Sequence, residues 1–114
     1  MSFEEKPQQH LITSAVNNMA STFFSNPGNV TNAAGFSIQS VWSNTSTAVG
    51  AQSVQASNDL INWVDIPSSS LPVTGSSGSN MWNTTGKVNY NFTRLVYTST
   101  SGNGTLNAVM ESKS

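Results

Sequence analysis

In the stretch KVNYNFTRLVYTST, Val88, Tyr90, Phe92, Arg94 and Val96 occupy every second position, and Asn89, Asn91 and Thr93 fill the places between them. Successive side chains of an extended strand point to opposite faces, so this spacing describes a strand with one apolar side. Leu95 and Tyr97 then bring apolar residues to the other side as well, as expected where a strand end is covered on both faces. No stretch keeps apolar residues at helical spacing for three turns, and the chain is expected to be all-β.

Shorter segments repeat the pattern. Phe36–Gln39 running into Val41 and Trp42 reads as a strand, as do Gln52–Ser57 and Ile61–Ile66, the last stopped by Pro67. Asn58 and Asp59 make a turn between the latter two. Ser101-Gly102-Asn103-Gly104, followed by the alternating Leu106, Ala108 and Met110, is the strongest hairpin signal in the chain. Residues 68–87, rich in Gly and Ser, read as a long loop with short strand pieces at Leu71–Val73 and Met81–Trp82. The segment from Leu11 to Phe24 admits both a strand and a helical reading. Seven or eight short strands between turns favour a single domain over residues 1–114, an antiparallel two-sheet sandwich of jelly-roll type, with residues 1–10 as an N-terminal arm.

The composition narrows the function. Charged residues are 8% of the chain, the formal net charge is -1, and Ser, Thr and Asn supply about two residues in five. Disordered chains pair low hydrophobicity with high net charge, which is not the case here. Four basic residues form no cluster able to neutralise several phosphates, so nucleic acid is not an expected partner. The N-terminal segment MSFEEKPQQHLITSAV has no long apolar run, and neither a secretory signal nor a membrane span is expected from it. There is no cysteine, which removes thiolate nucleophiles, thiolate metal sites and disulfides together.

Reactive groups are few. His10 is the only histidine and lies among polar residues, where an ordinary exposed side chain is the expected role. Asp59 and Asp65 are the one internal carboxylate pair, the minimum for glycoside hydrolysis. A turn cap for Asp59 and an outward strand position for Asp65 explain the pair more simply. Asn58, Asp59 and Asn62 supply too few oxygens for calcium, and neither a metal nor a cofactor is expected. The five Asn-X-Ser/Thr triplets follow from composition. The expectation is a protein without enzymatic activity.

Three tryptophans and one arginine remain. Trp63 alternates with Ile61 and Trp42 ends an apolar strand, so both are expected in the core. Met81 and Trp82 sit in a polar, Gly-rich stretch with no core of their own, and they are the candidate partner contact. Arg94 lies between Phe92 and Val96 on the alternating face, which draws its guanidinium inward, and a buried guanidinium needs acids. Arg94 with Asp59 or Asp65 is therefore the candidate structural ion pair.

The run Val54–Asp59 with Asn62–Ile66, and then Tyr90–Tyr97 with Ser101–Leu106, resembles the discoidin-like β-sandwich pattern. In that pattern a strand ends in Ser-Asn-Asp, a Trp follows, and a later strand carries Tyr, Arg and apolar residues. The likeness covers about the C-terminal two thirds of the chain. Compact cysteine-free versions ending in a Gly-rich stretch resemble small virion proteins of tailed bacteriophages. The resemblance implies a structural or decorating component of head, tail or fibre. It would be made in the host cytoplasm and would contact copies of itself and other virion proteins, with cell-surface glycan as the alternative partner. It carries no ligand-binding residue onto this chain.

Overall fold

Two strands of unusual length organise the protein: β4 (Gly35–Ser57) has 23 residues and β8 (Phe92–Lys113) has 22. A typical strand has about 5–6 residues. The computed structural model describes residues 8–13 and 18–113. Within it β4 and β8 run antiparallel from the pair Gly35↔Lys113 to the pair Ser57↔Phe92. A straight strand of β4's length would span about 75 Å at 3.3 Å per residue. The longest dimension of the protein is 49 Å, so the pair must bend.

The bend lies where the register shifts between Ser43 and Gly50, opposite Ser101–Thr105 on β8. Such bulges kink a strand and increase its twist. Gly102, at φ 79°, supplies a left-handed residue on the second strand. The expected hairpin at Ser101–Gly104 is therefore corrected: the chain kinks there and β8 continues to Lys113. Beyond the bend β4 meets itself, because Ser40 Oγ lies 2.6 Å from Gln52 Oε1. Twelve residues of straight strand would hold them about 40 Å apart.

Short strands flank this folded pair. On the β8 side lie β1 (Gln8–Thr13), β2 (Phe23–Phe24) and β3 (Gly28–Asn29). On the β4 side lie β5 (Val64–Asp65), β6 (Leu71–Val73) and β7 (Gly78–Thr85). All neighbours are antiparallel and all eight strands belong to one sheet, which curls on itself as a half-barrel. The fold is all-β, as the alternation predicts.

Several boundaries differ from the sequence reading. Residues 78–85, expected within a loop, form β7 and pair with β4 from Gly35 to Trp42. Gly78 permits this, because a Cβ there would collide with the Trp42 indole. The strand expected over residues 61–66 shrinks to Val64–Asp65. Residues 8–10 of the expected arm belong to β1, and residues 1–7 and 14–17 lie outside the described residues. Asn18–Ala20 form a single 3-10 turn that buries Met19.

The interior collects Val30, Phe36, Ile38, Trp42, Val54, Val73, Leu95, Tyr97, Leu106 and Met110. Its polar neighbours follow from the same geometry. The short flanking strands leave gaps along β4 and β8, and a buried backbone group in a gap still needs a partner. Short polar side chains supply it. Ser25 Oγ accepts from the Leu95 N–H at 2.8 Å, Asn18 Oδ1 from the Leu106 N–H at 2.8 Å, and Ser69 Oγ from the Val54 N–H at 3.1 Å. Part of the abundant Ser and Asn thus completes the sheet.

Candidate functional site

In the first part of β8, Phe92–Tyr97, Thr93, Leu95 and Tyr97 have no exposure, so Arg94 between them points to the outer face. The inward position read from Phe92 and Val96 is corrected here, since the alternate residues Leu95 and Tyr97 fill the interior. Register then sets the neighbours of Arg94. Gln55 of β4 is its cross-strand partner, and Asp65 of β5 is the partner of Gln55. Phe24 of β2 pairs with Val96, one alternation away on the same face.

The guanidinium of Arg94 is held between two rings. Its central carbon lies 4.1 Å from the centroid of Phe24 and 4.2 Å from that of Trp63. Guanidinium groups favour such stacking, and each contact of this kind is worth about 0.5–1 kcal/mol at an exposed position. Enclosure between rings lowers the group from its ordinary value, and arginine remains charged at any physiological pH. The Arg94 Nε–H donates to Gln55 Oε1 at 2.9 Å, and Gln55 Nε2 donates to Asp65 Oδ1 at 2.9 Å. The expected tie between Arg94 and an acid thus takes an indirect form, with Gln55 standing between Arg94 and Asp65.

Asp59 serves elsewhere. Its Oδ1 accepts from the Ile61 N–H at 2.9 Å and the Asn62 N–H at 2.8 Å, and its Oδ2 accepts from Asn62 Nδ2 at 2.8 Å. Ser57 Oγ accepts from the amides of Asp59 and Leu60 at 3.1 and 3.0 Å. These bonds hold Leu60 at φ 65°, a conformation that a branched side chain rarely adopts. The backbone donors of Asn62 and Ile61, with the side chains of Asn62 and Ser57, draw the Asp59 carboxyl well below its ordinary range. The turn-cap reading of Asp59 describes this loop.

The loop also places Trp63, whose Nε1–H donates to the Leu60 carbonyl at 3.3 Å. Expected in the core, Trp63 instead packs on Arg94 at the outer face, because it shares the side of Asp65, two residues on, whose register partner Gln55 lies beside Arg94. Leu60, Ile61 and Val64 are 47%, 79% and 70% exposed, and Phe24 is 55% exposed. Phe24 is thus exposed beside the arginine and Leu60 and Ile61 on the loop that carries Trp63, whereas Val64, paired with Ala56, faces the other side of the sheet. Behind the loop, Ala56, Asn58, Asp59, Asn62, Val64 and Tyr90 line a shallow open depression of about 360 Å3.

The candidate contact Met81–Trp82 divides between the two sides of β7. Met81 is exposed, whereas Trp82 packs against the core and donates from Nε1 to the Ser69 carbonyl at 2.7 Å. One side of Trp82 borders a cleft of about 260 Å3 with Phe36, Ile66, Pro67, Asn83 and Thr84. Asp59 and Asp65 have separate hydrogen-bond partners. Among the described residues no group of three His, Asp or Glu side chains is placed to hold a metal ion.

The chain matches no family model, no curated protein and no solved structure. The site accordingly rests on its geometry alone. Sequence reasoning missed Phe24, Gln55 and Trp63 as companions of Arg94. Their common signal is cross-strand register, which a single segment of sequence does not carry.

Proposed function

We propose that this chain is a non-enzymatic structural or decorating component of a bacteriophage virion that acts through protein-protein contacts. The observation that carries the contact reading is the outer face around Arg94: a fixed arginine between two aromatic rings, with Phe24 exposed beside it and Leu60 and Ile61 exposed on the loop that carries Trp63. Arginine and aromatic residues are enriched at the centres of protein interfaces, and these aliphatic side chains add apolar area. The phage setting rests on the sequence resemblance. In this reading the curled sheet acts as a two-layer sandwich of jelly-roll type, with the fold of β4 and β8 as the edge joining its layers. The low charge supports it, since closely packed copies repel one another little.

Mass spectrometry of particles purified from the phage that encodes the chain tests the reading. The intact chain is expected at many copies per particle. Its expression in infected cells without incorporation into particles would overturn the assignment.

A second reading, adhesion to a glycan, is favoured by the cleft beside Trp82, where one aromatic side chain adjoins Asn83 and Thr84. Quenching of tryptophan fluorescence by an oligosaccharide, abolished in Trp82→Ala, would establish it. The absence of quenching by a panel of host-surface oligosaccharides would remove it.

A further inference from the structure

Arg94, Gln55 and Asp65 stand in a row across three neighbouring strands, β8, β4 and β5. Strand spacing puts the two charged residues about 10 Å apart, with the neutral amide midway. Among the described residues, the side-chain hydrogen bonds of both charged groups run to Gln55. Arg94 spends its Nε–H on Gln55, which leaves the paired terminal Nη groups, the edge that grips a carboxylate with two parallel bonds. Asp65 accepts from Gln55 at Oδ1, and its Oδ2 remains an acceptor.

A row that runs positive, neutral, negative is complementary to itself. A half turn about a line parallel to β4 and above Gln55, outside the outer face, brings Arg94 of one copy opposite Asp65 of the other, and the reverse pair forms at the same time. Closed two-fold interfaces have this property, in which residue i meets j and j meets i. We propose that this outer face docks onto a second copy of the chain, face to face about Gln55, with Arg94 and Asp65 exchanged across the interface. The inference rests on the contact reading above and names its partner and geometry.

Charge selects this occupant over others. A phosphate-rich or sulfated polymer would satisfy Arg94 but bring its charge against Asp65. An acidic segment of an unrelated protein meets the same repulsion unless it also carries a cation at the matching distance. The chain itself presents both signs at that spacing. The ring stack adds preorganisation, because Phe24 and Trp63 fix the guanidinium before docking and less side-chain freedom is lost on contact.

Light scattering and sedimentation of the full chain from micromolar to millimolar concentration test the proposal. The unmodified protein should form a reversible dimer that weakens as salt rises. Arg94→Glu and Asp65→Lys should each raise the dissociation constant by at least about tenfold, with circular dichroism reporting on the fold. Mixed in equal amounts, the two variants should pair again, since each then faces the charge it lacks. A second measurement leaves the row untouched. Ser53, two residues from Gln55 along the proposed axis, is changed to Cys in a chain that has no other cysteine. Treatment with a short bismaleimide should link copies through Ser53→Cys and not through Ser79→Cys on β7.

A dimer that ignores both charge substitutions and fails to crosslink at Ser53→Cys would place the interface elsewhere and leave the contact reading standing. Single variants that stay apart when mixed would exclude the two-fold exchange. A strict monomer at millimolar concentration would end this inference, while the inventory of purified particles still decides the virion assignment independently.

Discussion

Between Thr93 and Tyr97 the two faces of β8 part at Arg94. The inner face presents Thr93, Leu95 and Tyr97, all fully enclosed, and the outer face presents a buried Val96 beside a half-buried Arg94 that is held by rings and a glutamine. Alternation gives both faces the same backbone and the same register. The inner side chains contribute to folding through burial. The arginine is held in a fixed orientation by stacking and a hydrogen bond, which suits it to the contact proposed above.

That contrast can be broken most severely from inside. Leu95→Ala should cost about 2–5 kcal/mol in urea or thermal unfolding, because the site is enclosed and the cavity left behind has little freedom to collapse. Retention of full stability would mean that the curled sheet is looser than its contacts indicate. A smaller loss is expected at the inner edge from Ser25→Ala, which strips the Leu95 N–H of its partner. The expected cost is about 1–3 kcal/mol, with faster amide exchange at Leu95.

The outer face should respond differently. Arg94→Gln removes both ring contacts yet should cost no more than about 1–2 kcal/mol of stability, and its main effect should be on self-association. A loss as large as that of Leu95→Ala would erase the distinction between the faces.

The smallest effect concerns the loop that supports Trp63. Because the Asp59 carboxyl lies below its ordinary range in the folded protein, its contribution is present above about pH 4, the ordinary aspartate value, and fades as acid protonates it below that. Chemical shifts of the Ile61 and Asn62 amides should move in this acid range, and Asp59→Asn should abolish the movement while the rest of the sheet stays unchanged.

Much of the fold was legible in the sequence, and the reasons are local. The alternation of Phe36 with Ile38, running into Trp42, and of Leu106, Ala108 and Met110 marked strands, and these residues line the interior. The turn at Asn58–Asp59 was legible because a short side-chain oxygen reaches neighbouring amides without outside help. The site was legible only in part. Arg94 stood out as the lone arginine and Asp65 as an outward acid, but the rings that hold Arg94 and the glutamine that joins the two lie on other strands.

The sequence by itself determined that the chain forms strands, since side-chain alternation is a property of each strand alone. Only the tertiary structure decided whether Ser101–Gly104 reversed the chain or bent it. Glycine and asparagine tolerate both conformations, and the choice fell to the long pairing of β8 with β4 on either side of the kink. The same pairing turned Arg94 outward and Trp63 onto it, because an alternating pattern fixes which residues share a face and leaves open which face is covered.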